Sequence, residues 1–327
     1  MTADPLDIVD ASLARHAVRG KRVAVALSGG VDSMLLLDLV HGLRTAWSLE
    51  LTAIHVHHGL SPNADAWADF CGAQCAARQI ALSTVRVQVD RQSSAGLEAA
   101  ARESRYAAFA ALPVDYVLLA QHQDDQAETV LHQLLRGTGP AGLAGMGETR
   151  VLTPQIQLLR PLLAMTRRAI ETWAARRGIA WIHDESNDDT RYMRNFIRHE
   201  LMPIIAKRFP HYRDSLTRAA RHAAESVELT EALAVIDLQW NDGVAYADAL
   251  DRLPLSRQVN ALYHWLRWQE VALPSRDQLE EWARQLFREA PAGKSHQAGG
   301  HAYLIRRRKN LLVIEARGHN HAVGYEP

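Results

Sequence analysis

Two short stretches hold the groups of this chain best suited to chemistry: Ser-Gly-Gly-Val-Asp-Ser at positions 28–33, and His-Gln-Asp-Asp-Gln-Ala-Glu at 122–128. In the first, Gly29 and Gly30 let the backbone turn tightly and come close to a ligand, while Ser28 and Ser33 add hydroxyl donors. Set before a helix, the amides of Ser28, Gly29, Gly30, Val31, Asp32 and Ser33 and the helix dipole form a site for phosphate oxygens. The loop has no lysine, unlike the Walker loop, and lacks the three spaced glycines of the dinucleotide fingerprint. A lysine-free loop suits cleavage of ATP between its α and β phosphates, with pyrophosphate left in the loop and AMP transferred. In the second stretch, Asp124, Asp125 and Glu128 open a helix, where carboxylates also simply favour the dipole, and His122 precedes them as a titratable neighbour.

These groups need a scaffold that gathers them. "RVAVAL", "LTAIHVH", "STVRVQV" and "YVLLAQ" are short and β-branched or continuously apolar, as buried parallel strands are. Between them, "SMLLLDLVHGLR", "ADAWADFCGAQCAARQ", "GLEAAARESRYAAFAAL" and "DDQAETVLHQLLRG" carry apolar residues at helical spacing. Such alternation predicts an α/β fold, a doubly wound parallel sheet with helices on both faces and ligands at the carboxyl ends of the strands. Ser28–Ser33, His55–Gly59 and Gln121–Asp125 all fall at such ends. After about residue 150 the pattern becomes mostly helical, so a catalytic domain over 1–215 and a smaller, mostly helical domain over 216–327 are expected. The last helices break at Leu273-Pro274, and "HAYLIRRRKNLLVIEA" reads as two short strands about a basic turn.

The chain's 327 residues exceed the usual single core, and its composition, 47% hydrophobic and 23% charged, is that of an ordinary globular protein. The start shows no basic and apolar leader pattern and no long apolar run follows, so a cytoplasmic protein without a membrane span is expected. Net charge is zero, which argues against a surface that grips nucleic acid everywhere. Basic residues concentrate locally, at Arg191, Arg194, Arg198, Lys207, Arg208, Arg213, Arg218 and Arg221, and again over Arg306–Lys309. The two cysteines, Cys71 and Cys75, sit four apart on a helical pattern and read as buried thiols, poorly aimed for a disulfide and too few for a zinc site.

"SGGVDS" resembles the PP-loop motif of N-type ATP pyrophosphatases, whose fold is adenine nucleotide alpha hydrolase-like. Four further segments are similar to those of the tRNA(Ile)-lysidine synthases within that group: "HVHHGLSPNADAWADFC", "GLEAAARESRYAAF", "LLAQHQDDQAETVLHQLLRGTGPAGLAGM" and "WIHDESNDDTRYMRNFIRHELMP". They run in family order from Val23 to about Pro203, with Ser61 standing where that family often has arginine. Some members carry an extra C-terminal domain that grips the tRNA acceptor stem, and this chain is expected to have the shorter architecture.

The resemblance implies ATP and Mg²⁺ as cofactors, L-lysine as co-substrate, and as partner a tRNA(Ile) whose CAU anticodon begins with the cytidine to be modified. ATP adenylates the C2 oxygen of that base, and the lysine amine then displaces AMP; other PP-loop chemistry, tRNA thiolation or small-molecule amidation, is the alternative. Carried onto this sequence, Asp32 and Asp125 hold Mg²⁺ or the lysine amine, and His122 is nearest for proton transfer. Asp124 and Glu128 join them in binding substrate. Arg102, Arg105 and Arg136 are candidates for the ATP phosphates or for charge developing on the adenylate, with solvated helix arginines as the alternative. Arg194, Asn195 and Arg198 lie at helical spacing, on a face that meets the anticodon stem or the ATP. "GTGPAGLAGMG" is expected to be a mobile loop closing over the flipped base. Oligomeric state stays open, a homodimer included.

Overall fold

The apolar runs become the centre of a six-stranded sheet, and the helical runs its two covers. The computed structural model describes residues 4–90, 92–93, 96–240, 244–288, 296–300, 303–308 and 311–316. In chain order the first part comprises α1 (Pro5–Arg15), β1 (Arg22–Ala26), α2 (Val31–Leu43), β2 (Glu50–His57), α3 (Ala64–Ala77), β3 (Ala81–Arg86), α4 (Leu97–Ala110), β4 (Tyr116–Leu118) and α5 (Gln123–Leu135). There follow α6 (Pro140–Leu143), β5 (Thr149–Val151), β6 (Gln157–Leu159), α7 (Arg167–Arg176), α8 (Met193–Phe196), a π-helical turn (Ile197–Leu201) and α9 (Met202–Arg208). The long α10 (Tyr212–Asp237) leads on to α11 (Leu255–Trp268), α12 (Arg276–Phe287), β7 (His296–Gly299), β8 (Tyr303–Arg308) and β9 (Leu311–Ala316). Contacts divide the chain at His222, within α10, into two compact units.

In the first unit the strand order is β3-β2-β1-β4-β6-β5, parallel throughout except for β5, which runs antiparallel to β6. Alternation along β1 sends Val23 and Val25 into one core with α1, α2, α3 and α7, while Ala24 turns to the opposite core with Phe109 of α4 and Val117 and Leu158. The sheet therefore buries both faces, which is why its strands read as unbroken apolar runs. Because β1 pairs with β2 on one side and with β4 on the other, the chain reverses its winding between β1 and β4. In such a topology ligands bind in a crevice at the carboxyl ends of those two strands. The hairpin β5–β6 departs from the expectation of a mostly helical region beyond residue 150. Two three-residue strands, one of them half-polar and exposed, are too short to carry a period, and pairing with β4 rather than local preference makes them strands.

In the second unit, α11 and α12 pack on the antiparallel sheet β7-β8-β9 around Leu262, Trp265, Leu286 and Ile305. The two expected terminal strands are present as β8 and β9, joined by β7, which "HQAG" gave no reason to expect. Among the described residues no helix is long and apolar enough to cross a membrane.

Candidate active site

β1 delivers the chain to Leu27, whose amide bonds the Ile54 carbonyl of β2, and the backbone then turns through Ser28-Gly29-Gly30 into α2. Gly29 has φ +87°, and a Cβ there would fall 2.6 Å from Ile182 Cδ1, so only glycine fits. Ile182 also donates its amide to the Gly29 carbonyl at 3.0 Å, covering one side of the turn, while Ser28 is exposed and Gly30 half-buried on the other. The hydroxyls hold the loop's shape: Ser33 Oγ donates to the Gly30 carbonyl at 3.0 Å and accepts from the Ser28 amide at 3.2 Å, and the Gly30 amide donates to Ser28 Oγ at 3.3 Å. Val31 begins a 13-residue helix whose cap, Gly30, supplies no side-chain hydrogen bond, leaving the amides of the first turn to an anion.

Across the crevice, β4 ends and His122 caps α5. Its Nδ1 accepts from the Asp125 amide at 3.4 Å, and its own amide donates to Asp125 Oδ2 at 3.1 Å. Nε2 of the same ring lies 3.6 Å from Asp32 Oδ1 and 3.5 Å from Asp125 Oδ2. The two carboxylates that the sequence separates by 93 positions thus converge on one imidazole nitrogen. Asp32 Oδ1 is buried with no hydrogen-bond partner, and burial raises the Asp32 pKa against the opposing pull of His122. Burial acts the same way on Asp125, but His122, Arg194 and Arg198 outweigh it and hold that carboxyl below its usual range.

The π-helical turn aligns Arg194 and Arg198 on the same carboxylates. Arg198 grips Glu128 through Nε at 2.6 Å and Nη2 at 2.9 Å, Arg194 reaches it at 3.2 Å, and both donate to Asp125 Oδ1, at 3.1 and 3.0 Å. Opposing carboxylates raise the pKa of both guanidiniums against the lowering effect of burial. Asp124 is occupied too: Oδ2 accepts from the Arg167 amide at the start of α7, and Oδ1 from Arg213 Nε. Asp124, Glu128, Arg167, Arg198 and Arg213 line a cleft of about 270 Å³ whose apolar wall includes Met202 and Tyr212. Asn195 donates to the Asp189 carbonyl at 3.0 Å.

Of the candidate arginines, Arg105, exposed on α4, has its pKa lowered by the protein crowded about it and then by Arg102 and Arg194, and it depresses His58 at the end of β2. Burial and Arg105 together bring the His58 pKa down to about 4. Arg105 has no hydrogen-bonded or ion-paired partner among the described residues. Arg102 and Arg136 are not brought to the corner. Arg102 lies over the Tyr106 ring in a groove on α4, and Arg136 caps the far end of α5, a helix length from His122. The glycine-rich segment after Arg136 is also more ordered than its composition suggests. It forms α6, and Gln126 of α5 clamps Met146 through both its amide and its carbonyl.

The basic clusters turn largely inward. Arg194, Arg198 and Arg213 serve carboxylates, and in the second unit Arg306 and Arg308 pair with Glu315 and Arg307 with Asp248 and Asp251. Lys309 lies outside the described residues. Lys207 and Arg208 remain exposed beside Ile204 and Phe209. Sequence reasoning missed Arg167, whose charge acts on Asp32, and Ile182, which seals Gly29; the Thr-Arg-Arg start of α7 was the one available signal for the former. Cys71 and Cys75 are buried free thiols, with burial first and then Cys75 pushing Cys71 up to about 12.

The carboxylate oxygens of Asp32 and Asp125 are hard ligands of the kind Mg²⁺ takes in ones and twos beside substrate phosphates. Asp32 fits that use directly through its unpartnered Oδ1; Asp125 fits it once Arg194 and Arg198 release Oδ1.

A family profile described as PP-loop domain matches residues 7–205, and one described as TilS substrate binding domain matches residues 247–313. The tRNA(Ile)-lysidine synthase of Nitrosomonas europaea is 42% identical over 290 residues, 86% of this chain and 63% of that protein. That of Serratia proteamaculans is 40% identical over 316 residues, 94% of this chain and 72% of that protein. The chain therefore spans less than two thirds of some of these relatives and more of others. In fold it is similar to the U34-tRNA thiolase NcsA from Methanococcus maripaludis, with TM-score 0.57 and 18% identity over 68% of this chain and 78% of that one.

Proposed function

Because this chain belongs to the tRNA(Ile)-lysidine synthase family of PP-loop proteins, we propose that it joins L-lysine to C2 of the first anticodon cytidine of a tRNA(Ile), in the cytoplasm, at the expense of ATP. The observation that carries the reading is the convergence of Asp32, from the glycine corner, and Asp125, from the acidic helix, on His122 Nε2. ATP lays its β and γ phosphates against residues 28–33 and the uncapped start of α2, which turns its α-phosphorus toward those carboxylates. Arg105, a crevice cation without a carboxylate partner, meets phosphate charge.

The C2 oxygen of the cytidine attacks the α-phosphorus, the bond to the β-phosphate oxygen breaks, and pyrophosphate leaves. Lysine then attacks C2 with its ε-amine, the C2–oxygen bond breaks, and the oxygen departs with AMP. That oxygen leaves poorly as hydroxide and readily as AMP. Asp32 and Asp125 would hold a Mg²⁺, which when bound neutralises phosphate charge. Lysine enters through the cleft lined by Arg167, whose guanidinium matches its carboxylate, with its methylenes along Met202 and Tyr212 and its amine directed past Asp124 toward Asp32.

A free lysine amine has a pKa of about 10.4, so presenting it neutral at pH 7 costs about 4.6 kcal/mol unless a base takes the proton on attack. His122, its Nδ1 against the Asp125 amide and its Nε2 toward Asp32 and Asp125, orients the two carboxylates. Where Asp32 holds the lysine amine instead of the metal, it takes the proton, its raised pKa making it the better acceptor of the two carboxylates. Labelled lysine, ATP and tRNA transcripts differing only at the first anticodon base test the reading. Incorporation with C and none with U is expected; equal incorporation, or none with either, overturns it.

A further inference from the structure

The crevice accounts for Arg105, but its neighbours on α4 lie in a second feature. A groove of about 460 Å³ runs between α4 and the edge hairpin, lined by Ala99, Arg102, Tyr106, Ala110, Arg150 and Leu152 among others. Tyr106 is its centre: Arg102 lies 4.8 Å and Arg150 5.3 Å from the ring centroid. Behind them Arg160 is 2% exposed, its Nε on the Gln121 side chain at 2.6 Å and its Nη1 on the Gly147 carbonyl at 2.7 Å. Burial lowers the Arg160 pKa, and the charges of Arg102 and Arg150 lower it further, so three guanidiniums share one field.

Among the described residues none of the three has a carboxylate within ion-pair distance, and Glu103, which also lines the groove, pairs with neither the half-buried Arg102 nor the exposed Arg150. Arg194, Arg198, Arg213, Arg257, Arg306 and Arg307, by contrast, are all matched to carboxylates. In a chain of zero net charge, a cluster of cations left uncompensated raises a local positive potential open to solvent. Stacking on Tyr106 also fixes Arg102 and Arg150, so little side-chain freedom is lost when an anion arrives.

We propose that the groove centred on Tyr106 binds the phosphodiester backbone of the substrate RNA as it leaves the crevice, with Arg102 and Arg150 each contacting a phosphate. The inference rests on the tRNA reading above and gives it a track. Arg102 and Arg105 are three positions apart on α4, so a strand whose target base meets the crevice beside Arg105 continues along the same helix surface to Arg102 and then Arg150. An open groove suits a continuous backbone better than a single small anion, which the glycine corner already serves. The uncompensated charge supplies affinity and no sequence choice.

The test uses the full chain, a CAU-anticodon tRNA(Ile) transcript, and binding measured across a potassium chloride series. The double variant Arg102→Ala/Arg150→Ala should weaken RNA binding about tenfold at 0.1 M salt and flatten the slope of log K against log salt by about 1.4, two contacts at about 0.7 each. Arg102→Lys/Arg150→Lys should keep the wild-type slope, which separates lost phosphate contacts from lost folding. ATP affinity, measured without RNA, should stay at the wild-type value in both. Wild-type RNA affinity and slope in the alanine variant, or loss of ATP affinity in parallel with RNA affinity, would overturn the proposal. If the wild-type chain itself fails to bind the transcript, the functional reading falls as well; if it binds and the alanine variant matches it, the groove alone is misassigned.

Discussion

The glycine corner and the guanidinium knot on α5 meet at His122, yet they treat their polar groups in opposite ways. At the corner, Asp32 keeps a buried oxygen without a hydrogen bond, the first turn of α2 has no side-chain cap, and Arg105 nearby has no ion-paired carboxylate among the described residues. In the knot, Glu128 is 2% exposed and takes three guanidinium hydrogen bonds, and Asp125 takes two more beside its backbone bond. Unmet polar groups cost stability and are kept where a ligand will meet them; satisfied networks hold the frame in place. The same imidazole nitrogen therefore faces one carboxyl pushed up by burial and one pulled down by its partners.

The sharpest way to break this contrast is Asp32→Asn, which should lower lysine incorporation by about 10³-fold or more while leaving tRNA affinity near normal. It should also stabilise the fold at pH 7. A carboxyl whose folded pKa is raised favours the fold most below its unfolded value near 3.9, and that stability is lost as pH rises through the folded value. The stabilisation by asparagine should thus be present at neutral pH and fade below about pH 4 in urea titrations. Asp125, with its pKa depressed, contributes the other way: its stability is present above the unfolded value and lost as pH falls through the folded one. An Asp32→Asn variant that unfolds more easily than wild type would place Asp32 in the frame.

Next in size, Glu128→Ala should cost about 3–5 kcal/mol of unfolding free energy, because it leaves Arg194 and Arg198 partly buried with only Asp125 between them. A loss below about 1 kcal/mol would mean the knot is solvated and weak. The smallest effect expected is from Cys75→Ala, about 1 kcal/mol in stability with lysine incorporation unchanged, since the thiol is buried and held protonated. Loss of turnover there would favour sulfur chemistry and count against the lysine reading.

Much of the corner was legible beforehand because it is local: a strand, two glycines and a helix start within a dozen residues. The parallel sheet was legible for the same reason, each strand being an apolar run long enough to stand out. β5 and β6 were not, since three residues each carry no period and Arg150 sits in the middle of one. The helical spacing of Arg194 and Arg198 correctly put them on one face, but what that face meets lies about 70 positions away and is fixed by packing, so an expected nucleic-acid or ATP contact is a carboxylate knot. Arg102 illustrates the same limit. A helix pattern distinguishes its faces without saying which neighbour covers each, and the hairpin that brings Arg150 to Tyr106 was itself unreadable.

In the proposed reaction the glycine corner holds ATP so that its α-phosphorus faces Asp32, His122 and Asp125. Chain, tRNA and ATP labelled at the α-phosphate, mixed without lysine, test it most directly. Label should appear on the tRNA with unlabelled pyrophosphate in equal amount, the label should be released as AMP when lysine is added, and none of these should occur with Asp32→Asn. Labelled ADP as the product, or label transfer that survives in Asp32→Asn, would contradict it.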